Sequence, residues 1–440
     1  MMHHVIVGTG IAALSAAESI RRADARTRIT MIGPEATPFY SRPGLAYLLT
    51  DEIPGSQLAL RTEAELEALD VKRMDRPVTR LDTEGRFVQL DSGVRIEYDR
   101  LLLATGAVSL PADFPGATLD GVVRLDNLGD ANDLVERTRN ARAAVVIGGG
   151  STALELVDGL YARGLSTHYL MRGERYWSKV LDAVESAIVE ARLLAQGILL
   201  HRRTAILEAI GLDGVLTGVR TSTGRHIACD ILGVAVGVMP RIELARAAGL
   251  ATDRGILTNE YLETSAPDIF AAGDVAQVHD PVTQRALLDT LWASALQQGR
   301  IAGLNMAGVR VALRKRTPMN VTRVAGITTT IVGAVGAADD PDLLTLTRGQ
   351  SERWTTDDGA WSVGGSRMGN RLRVVVSGRA IVGAVVMGDQ RMSQPLAHLI
   401  GEEVDIAALR PALEASPDDA MDLFLAFCET HVTDHAAHHG

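Results

Sequence analysis

The sequence predicts an α/β fold in which a parallel sheet is built twice and a β-rich α+β portion follows. Three observations predict it. A strand–glycine turn–helix–strand unit opens the chain, the same order recurs near the middle of the 440 residues, and from Asn320 the texture shifts to short alternating strands. Apolar β-branched runs that give way to helical periodicity are the pattern of parallel strands joined by helices.

Each element follows in order. Residues 5–7 form the first strand, 8–13 a glycine turn, a helix runs through Ala16, Ala17 and Ile20, and residues 29–32 form a second strand. A charged, alternating stretch at 78–90 precedes an apolar run, 101–103, that ends in Ala104, Thr105 and Gly106. The second unit has its strand at 144–147, its turn at 148–153, a helix through Leu156 and Leu160, and a strand at 168–171. Residues 230–236 and 268–274 each read as a strand entering a glycine turn, and 287–306 reads as one amphipathic helix. Strands at 371–376 and 380–387 flank a tight turn at Gly378–Arg379, and a final helix spans about 417–428. A chain of this length is expected to fold as two to four packed units.

Composition removes several function classes. A hydrophobic fraction of 46% with 22% charged residues fits a globular core. Aromatic residues at 4% and a net charge of −10 argue against a nucleic-acid partner. No apolar run reaches the roughly 18–20 residues that cross a bilayer, so no integral membrane segment is expected. The opening MMHHVIVGTG runs straight into a strand without a signal-peptide pattern. Cys229 and Cys428 are the two cysteines and make no disulfide framework. A cytoplasmic location is the expectation. His3 and His4 stand before the first strand and are expected to play no catalytic part.

The first turn has the form G-x-G-x-x-A. Gly8 permits the tight turn, Gly10 lets the backbone approach a pyrophosphate, and Ala13 allows close helix–strand packing. The N–H groups around Ile11 and Ala12 then point at the phosphates with the helix dipole behind them. One such turn serves packing as readily as binding. The second copy, Gly148-x-Gly150-x-x-Ala153 with Ser151 and Thr152 inside it, changes the weighing. Two fingerprints suggest two dinucleotides facing each other, the arrangement that hydride transfer requires.

Three further segments accompany them: 104–106, 264–274 with its Ala271–Ala272–Gly273–Asp274 ending, and a helix opened by Leu291 and Trp292. Together they resemble the two-dinucleotide flavoprotein superfamily, the pyridine nucleotide–disulfide oxidoreductases, over about residues 1–310. The resemblance implies two Rossmann-like domains: an FAD domain at 1–112 and 242–318, interrupted by an NAD(P)H domain at 113–241. A C-terminal α+β interface or dimerisation domain would occupy 319–440. It implies FAD on the first turn and NAD(P)H on the second, with Gly273 and Asp274 on the ribityl or phosphate part of FAD. The Leu291–Trp292 helix end would face the flavin. Val78, Ala104, Thr105, Gly106 and Gly237 would complete the cofactor lining.

Residues 38–47 bear on the subclass. They resemble the loop of NADH oxidases and coenzyme A disulfide reductases, but Pro43 stands where the redox cysteine would be. They also resemble the ferredoxin reductase loop, with Tyr47 in place of its lysine. Thiol chemistry is disfavoured, and electrons would leave the flavin directly. A ferredoxin- or rubredoxin-type protein is the first acceptor expected. Oxygen, a quinone or another small molecule is the alternative, and a non-enzymatic flavin-binding sensor or scaffold stands as a reading from another class. Residues 378–389 resemble the interface domain of rubredoxin-reductase-like and nitrite-reductase-like flavoproteins, which makes a homodimer an expectation.

Individual residues have rival readings. Glu35, after the second strand, is a ribose ligand or a solvated glutamate, and Arg42 faces FAD phosphate or ribose. Arg172 and Arg175 after the later strand favour the 2′-phosphate of NADPH, whereas Glu174 could serve the ribose of NADH. Glu155, one turn into the second helix, is expected to point toward the nicotinamide and flavin and to contact Tyr47; these two form the catalytic pair. Cys428, His431, His435 and His438 have ligand types suited to zinc or copper, yet equally read as a histidine-rich tail, and no metal is expected. Arg314, Lys315 and Arg316 are a solvated run or a docking point for an acidic carrier.

Overall fold

A computed structural model describes residues 1–37, 39–280, 284–314, 317–336, 348–356, 359–367 and 369–438. Two compact units form: Met1–Tyr169 with Ala205–Lys315 and Thr345–Ser351, and Leu170–Thr204 with Arg316–Leu344 and Glu352–Gly440.

In the first unit, strand His3–Val7 lies between Arg28–Ile32 and Arg100–Leu103, flanked outside by Val71–Met74 and Ile269–Ala271. All four pairings are parallel, and register places Val7, Ile32, Met74, Leu103 and Ala271 level at one edge. The chain order reverses beside the first strand, so the crevice outside these carboxyl ends is where such sheets bind ligands. Val5, Ile6, Leu101 and Leu102 are fully buried, as strands covered on both faces must be. His3 and His4 belong to the first strand and are buried, contrary to the expectation that they precede it. The polarity of His3 is accommodated at the strand's entry, where its ring meets Thr30 Oγ1 at 2.8 Å and Arg28 Nη2 at 2.7 Å.

A second parallel set repeats the plan: Ala143–Gly148 lies beside Ile231–Ala235, which pairs with Val122–Val123. The chain passes between the two sheets on a short antiparallel ribbon, Ala107–Ser109 against Val238–Pro240. Helix Trp292–Met306 packs on helix Ile11–Ala23 at very close range. A Cβ at Gly299 would lie 2.1 Å from the Ala12 carbonyl oxygen, and one at Gly303 would lie 2.4 Å from that of Ala16.

One boundary differs from the expectation. The stretch 287–306 is not one helix: Arg285–Leu288 is a strand paired with Ala276–Asp280, and the helix begins at Trp292. The intervening Thr290 spends its backbone N–H on the Gln350 carbonyl and its own carbonyl on Gly349 N–H, each at 2.9 Å. An amphipathic pattern cannot reveal that distant pairing.

In the second unit, five antiparallel strands run in the order Met319–Val324, Ile327–Gly333, Ala380–Met387, Asn370–Ser377, Trp361–Arg367. One face is covered by Leu396, Leu399, Leu413 and Phe424 from the closing helices. The last helix spans Ala420–His438, longer than the expected 417–428 and preceded by a short 3-10 turn at Pro417–Asp419. Helix Ala183–Ala195 belongs here too. Its capping carboxylates are held by two buried arginines: Arg371 Nη2 on Asp182 Oδ2 at 2.7 Å, and Arg373 Nε on Glu185 Oε1 at 2.8 Å.

Candidate active site

The two glycine turns are built alike. Gly8 has φ +136°, and a Cβ there would sit 2.1 Å from the Ala104 carbonyl oxygen; Gly148 has φ +149°, with Ala235 oxygen at 2.2 Å. Both positions combine a backbone shape that side chains resist with a neighbouring strand too close for one. Ala104–Thr105–Gly106 and Ala235–Val236–Gly237 are therefore matching walls, and Gly106 and Gly237 also adopt positive φ. Arg241 N–H donates to the Gly106 carbonyl and Thr105 Oγ1 donates to the Arg241 carbonyl, both at 2.9 Å, tying the first wall to the ribbon. Ala13 and Ala153 are buried against their strands, as their places in the fingerprint require.

What lies in front of the turns tests whether a dinucleotide fits. The helices Leu128–Thr138 and Ala183–Ala195 carry complete capping boxes, from Asn127 with Asp130 and from Asp182 with Glu185. The helices that start at Ile11, Ser151 and Trp292 have no side-chain cap and no acid in their first turn. Their leading N–H groups need acceptors that the chain does not supply from a capping side chain. A Cβ at Gly10 would meet nothing within 4 Å, so open space faces the backbone there. Uncapped helix ends behind open glycines suit pyrophosphate oxygens. The residues fit the group.

Gly273 and Asp274 stand beside the first turn. Gly273 N–H donates to the buried Gln298 Oε1 at 2.8 Å, so the Trp292 helix fixes this corner. Gln298 was not singled out from the sequence, although the Gln298–Gly299 step inside the motif was visible. Burial raises the Asp274 pKa, opposed by the positive charges of Arg348 and Arg42, with Asp289 adding to the rise.

Glu35 and Arg42 are brought together. Arg42 Nη2 bonds Glu35 Oε1 at 2.7 Å, Tyr40 hydroxyl donates to Glu35 Oε2 at 2.7 Å, and Arg42 Nη1 reaches the Asp126 carbonyl. Each Glu35 oxygen thus already accepts one bond and keeps a second lone pair for a hydroxyl. Pro43 is exposed at the turn that opens the short helix Leu45–Leu49. Val78 pairs with Leu90 and is half-buried beside the main core.

Glu155 projects from the second turn's helix, Ser151–Ala162. Burial pushes its pKa up to about 7, against the pull of the Arg348 charge and with Asp158 adding to the rise. Tyr47 is 38% exposed, and among the described residues no hydrogen bond joins it to Glu155. The Tyr47 helix does pack against the Glu155 helix, but at its far end, where a Cβ on Gly159 would meet Leu49 Cβ at 2.7 Å. The opposite charge that acts on Glu155 is that of Arg348. It lay outside every motif, and its only signal is spatial.

Thr152 is half-buried in the second turn, while Leu291 immediately precedes the Trp292 helix. Arg172 and Arg175 belong to the second unit, where Glu174 pairs with Arg203. Cys229 is buried and its thiol is pushed up to about 12 by burial, with the Asp230 charge adding to it, so it is no nucleophile. The side chains of His431, His435 and His438 lie outside the described residues, as do Lys315 and Arg316. No helix is long and apolar enough to cross a membrane among the described residues.

Comparison with known proteins agrees with this geometry. Residues 2–299 match the family described as pyridine nucleotide-disulphide oxidoreductase. Rhodocoxin reductase of Rhodococcus erythropolis is 34% identical over 318 residues, 71% of this chain and 74% of that protein. The nitrite reductase [NAD(P)H] of Bacillus subtilis (strain 168) is 28% identical over 408 residues, 92% of this chain, which spans 48% of that protein. The solved ferredoxin reductase for the CYP199A2 system of Rhodopseudomonas palustris superposes with a TM-score of 0.78. It is 27% identical, covering 88% of this chain and 91% of that one. With paired glycine turns and this match over most of its length, the chain belongs to the pyridine nucleotide-disulphide oxidoreductase family, as an oxidoreductase of FAD and NAD(P)H.

Proposed function

We propose that this protein draws hydride from NAD(P)H and passes electrons singly to a small ferredoxin- or rubredoxin-type carrier, without a redox disulfide. The observation that carries this reading is the pair of matched turns in one unit, backed by uncapped helix ends and by a loop with Pro43 and no thiol. FAD, when bound, supplies the step between a two-electron donor and one-electron acceptors. The chain's own residues do the rest. Ile11, Ala12 and Ala13 N–H groups bind phosphate at the first turn, and Ser151 and Thr152 N–H groups do so at the second. Arg42, held by Glu35, presents charge toward Asp274's side of the first site, and Glu35 offers a lone pair to a ribose hydroxyl. The lead of the Trp292 helix turns its positive end to the flavin. Glu155 holds a proton, or releases it, at its carboxyl beside the second turn.

The functional domains in this reading are 1–112 with 242–318 for FAD, 113–241 for NAD(P)H and 319–440 for an interface that forms a homodimer. Arg172 and Arg175 select NADPH. A reducing cytoplasm suits a two-cysteine chain. The test is anaerobic addition of NADH and of NADPH to the yellow protein, followed by a carrier. Rapid bleaching, faster with NADPH, and recolouring by ferredoxin or rubredoxin are expected. Recolouring by oxygen or quinone alone would make it an oxidase or quinone reductase, and a band untouched by either nucleotide would make it a sensor. Light scattering decides the dimer.

A further inference from the structure

Residues 348–351 form a short strap beside Asp289 and Thr290, the lead into the Trp292 helix. Besides the two backbone bonds of Thr290, Thr290 Oγ1 donates to the Gln350 carbonyl at 3.0 Å, and Ser351 hydroxyl bonds the Asp289 carboxylate. The strap's first residue does three further things. Its carbonyl accepts Ser151 Oγ at 2.8 Å, at the first residue of the second turn's helix. Its Nη2 bonds Asp126 Oδ1, which Ser109 of the inter-sheet ribbon also holds through N–H at 3.0 Å and Oγ at 2.7 Å. Its charge acts on Glu155 and Asp274 together, and it heads the charged groups acting on each.

We propose that Arg348 is a positioning residue of the hydride-transfer site: it locks the second turn to the lead of the Trp292 helix and supplies Glu155 and Asp274 with positive charge that residues 43–47 do not. This rests on the reading that FAD and NAD(P)H occupy the two turns. Other charges around these acids do not duplicate the role. Asp158 on the Glu155 helix is of the same sign, and Asp289 is likewise acidic beside Asp274. Arg42 acts on Asp274 but is not among the charges acting on Glu155, and Arg163 spends its guanidinium on the Leu48 and Leu49 carbonyls at 2.9 and 2.8 Å. A nearby positive charge favours the ionised form of a carboxylate and so lowers its pKa.

The test is a pH titration of the bound-flavin absorption band, which needs flavin bound but no turnover. Wild-type protein is expected to show a transition near the Glu155 value, absent in Glu155→Gln. Arg348→Gln should move that midpoint upward by about one pH unit, and Arg348→Lys should return it toward wild type. Asp126→Asn keeps the arginine but removes its partner, so the midpoint should move down; this variant decides the matter if Arg348→Gln fails to retain flavin. A wild-type band without the transition, an Arg348→Gln midpoint equal to wild type, or an Asp126→Asn midpoint that stays or rises overturns the proposal. Failure of the parent reading shows separately, as a wild-type band that neither nucleotide bleaches.

Discussion

Glu155 is a carboxylate whose charge is costly where it stands. Burial pushes its pKa up to about 7, so its protonation changes across the neutral range. The hydride-transfer rate, measured by single-turnover bleaching, should bend near that pH in wild type and run flat in Glu155→Gln. The same residue leaves a mark on stability. Its folded pKa lies above the ordinary 4.5, so the folded chain binds the proton more tightly than the unfolded one. That contribution is complete below about 4.5 and is lost as pH rises through 7. Urea midpoints compared across this window should fall less steeply with rising pH in Glu155→Gln. At this scale the sequence spoke clearly wherever one residue type answers one local constraint. Gly8 and Gly148 are such cases, because positive φ and a carbonyl oxygen 2.1–2.2 Å from a would-be Cβ leave no other choice. It was silent about Arg348, whose bond to Ser151 joins residues 197 apart in sequence.

Among elements, the crossing of helices Ile11–Ala23 and Trp292–Met306 sets how close two uncapped ends come to the first sheet. Gly299 and Gly303 are the small residues that let the backbones approach. Gly299→Ala would force a methyl against the Ala12 carbonyl, and overpacking of that kind costs about 1–3 kcal/mol. The expected outcome is a lower denaturant midpoint and weaker flavin retention, because Ala12 belongs to the turn itself. Gly→Ala at an ordinary helix position would instead stabilise slightly, so the sign of the change decides the point. Elements with strong periodicity were legible, including both turn-bearing helices and the 380–387 strand. The 287–306 stretch misled because the pairing of Thr290 with Gln350 delays the helix start to Trp292, and amphipathicity carries no trace of a partner 60 residues away. His3 misled for a related reason: a polar residue at a strand's entry looks like a tail until Thr30 and Arg28 are seen to receive it.

For the whole molecule, residues 170–204 group with the C-terminal strands in one compact unit. Within that second unit, Arg371, Arg373, Asp182 and Glu185 form a buried double ion pair, with Arg373 also donating to the Val335 and Val180 carbonyls. Glu185 is 0% exposed. Arg373→Met should therefore destabilise by about 3–5 kcal/mol, since it strands a buried carboxylate, and Arg373→Met with Glu185→Leu should recover much of the loss. Calorimetry of the two variants checks this, and equal losses would show that the pair matters for packing alone. Repeats and motif order made the class and family legible. The grouping of 170–204 was not, because it depends on ion pairs between segments with no common pattern.

The helices that begin at Ile11, Ser151 and Trp292 reach the surface of their crevice with amides that no capping side chain satisfies. Nucleotide phosphates that accepted those amides would serve as structural parts as well as reagents. A ligand held only by the folded form adds about 2.7 kcal/mol when present at a hundred times its dissociation constant. Riboflavin supply would then govern how much of this protein survives proteolysis in the cell, before any question of turnover arises.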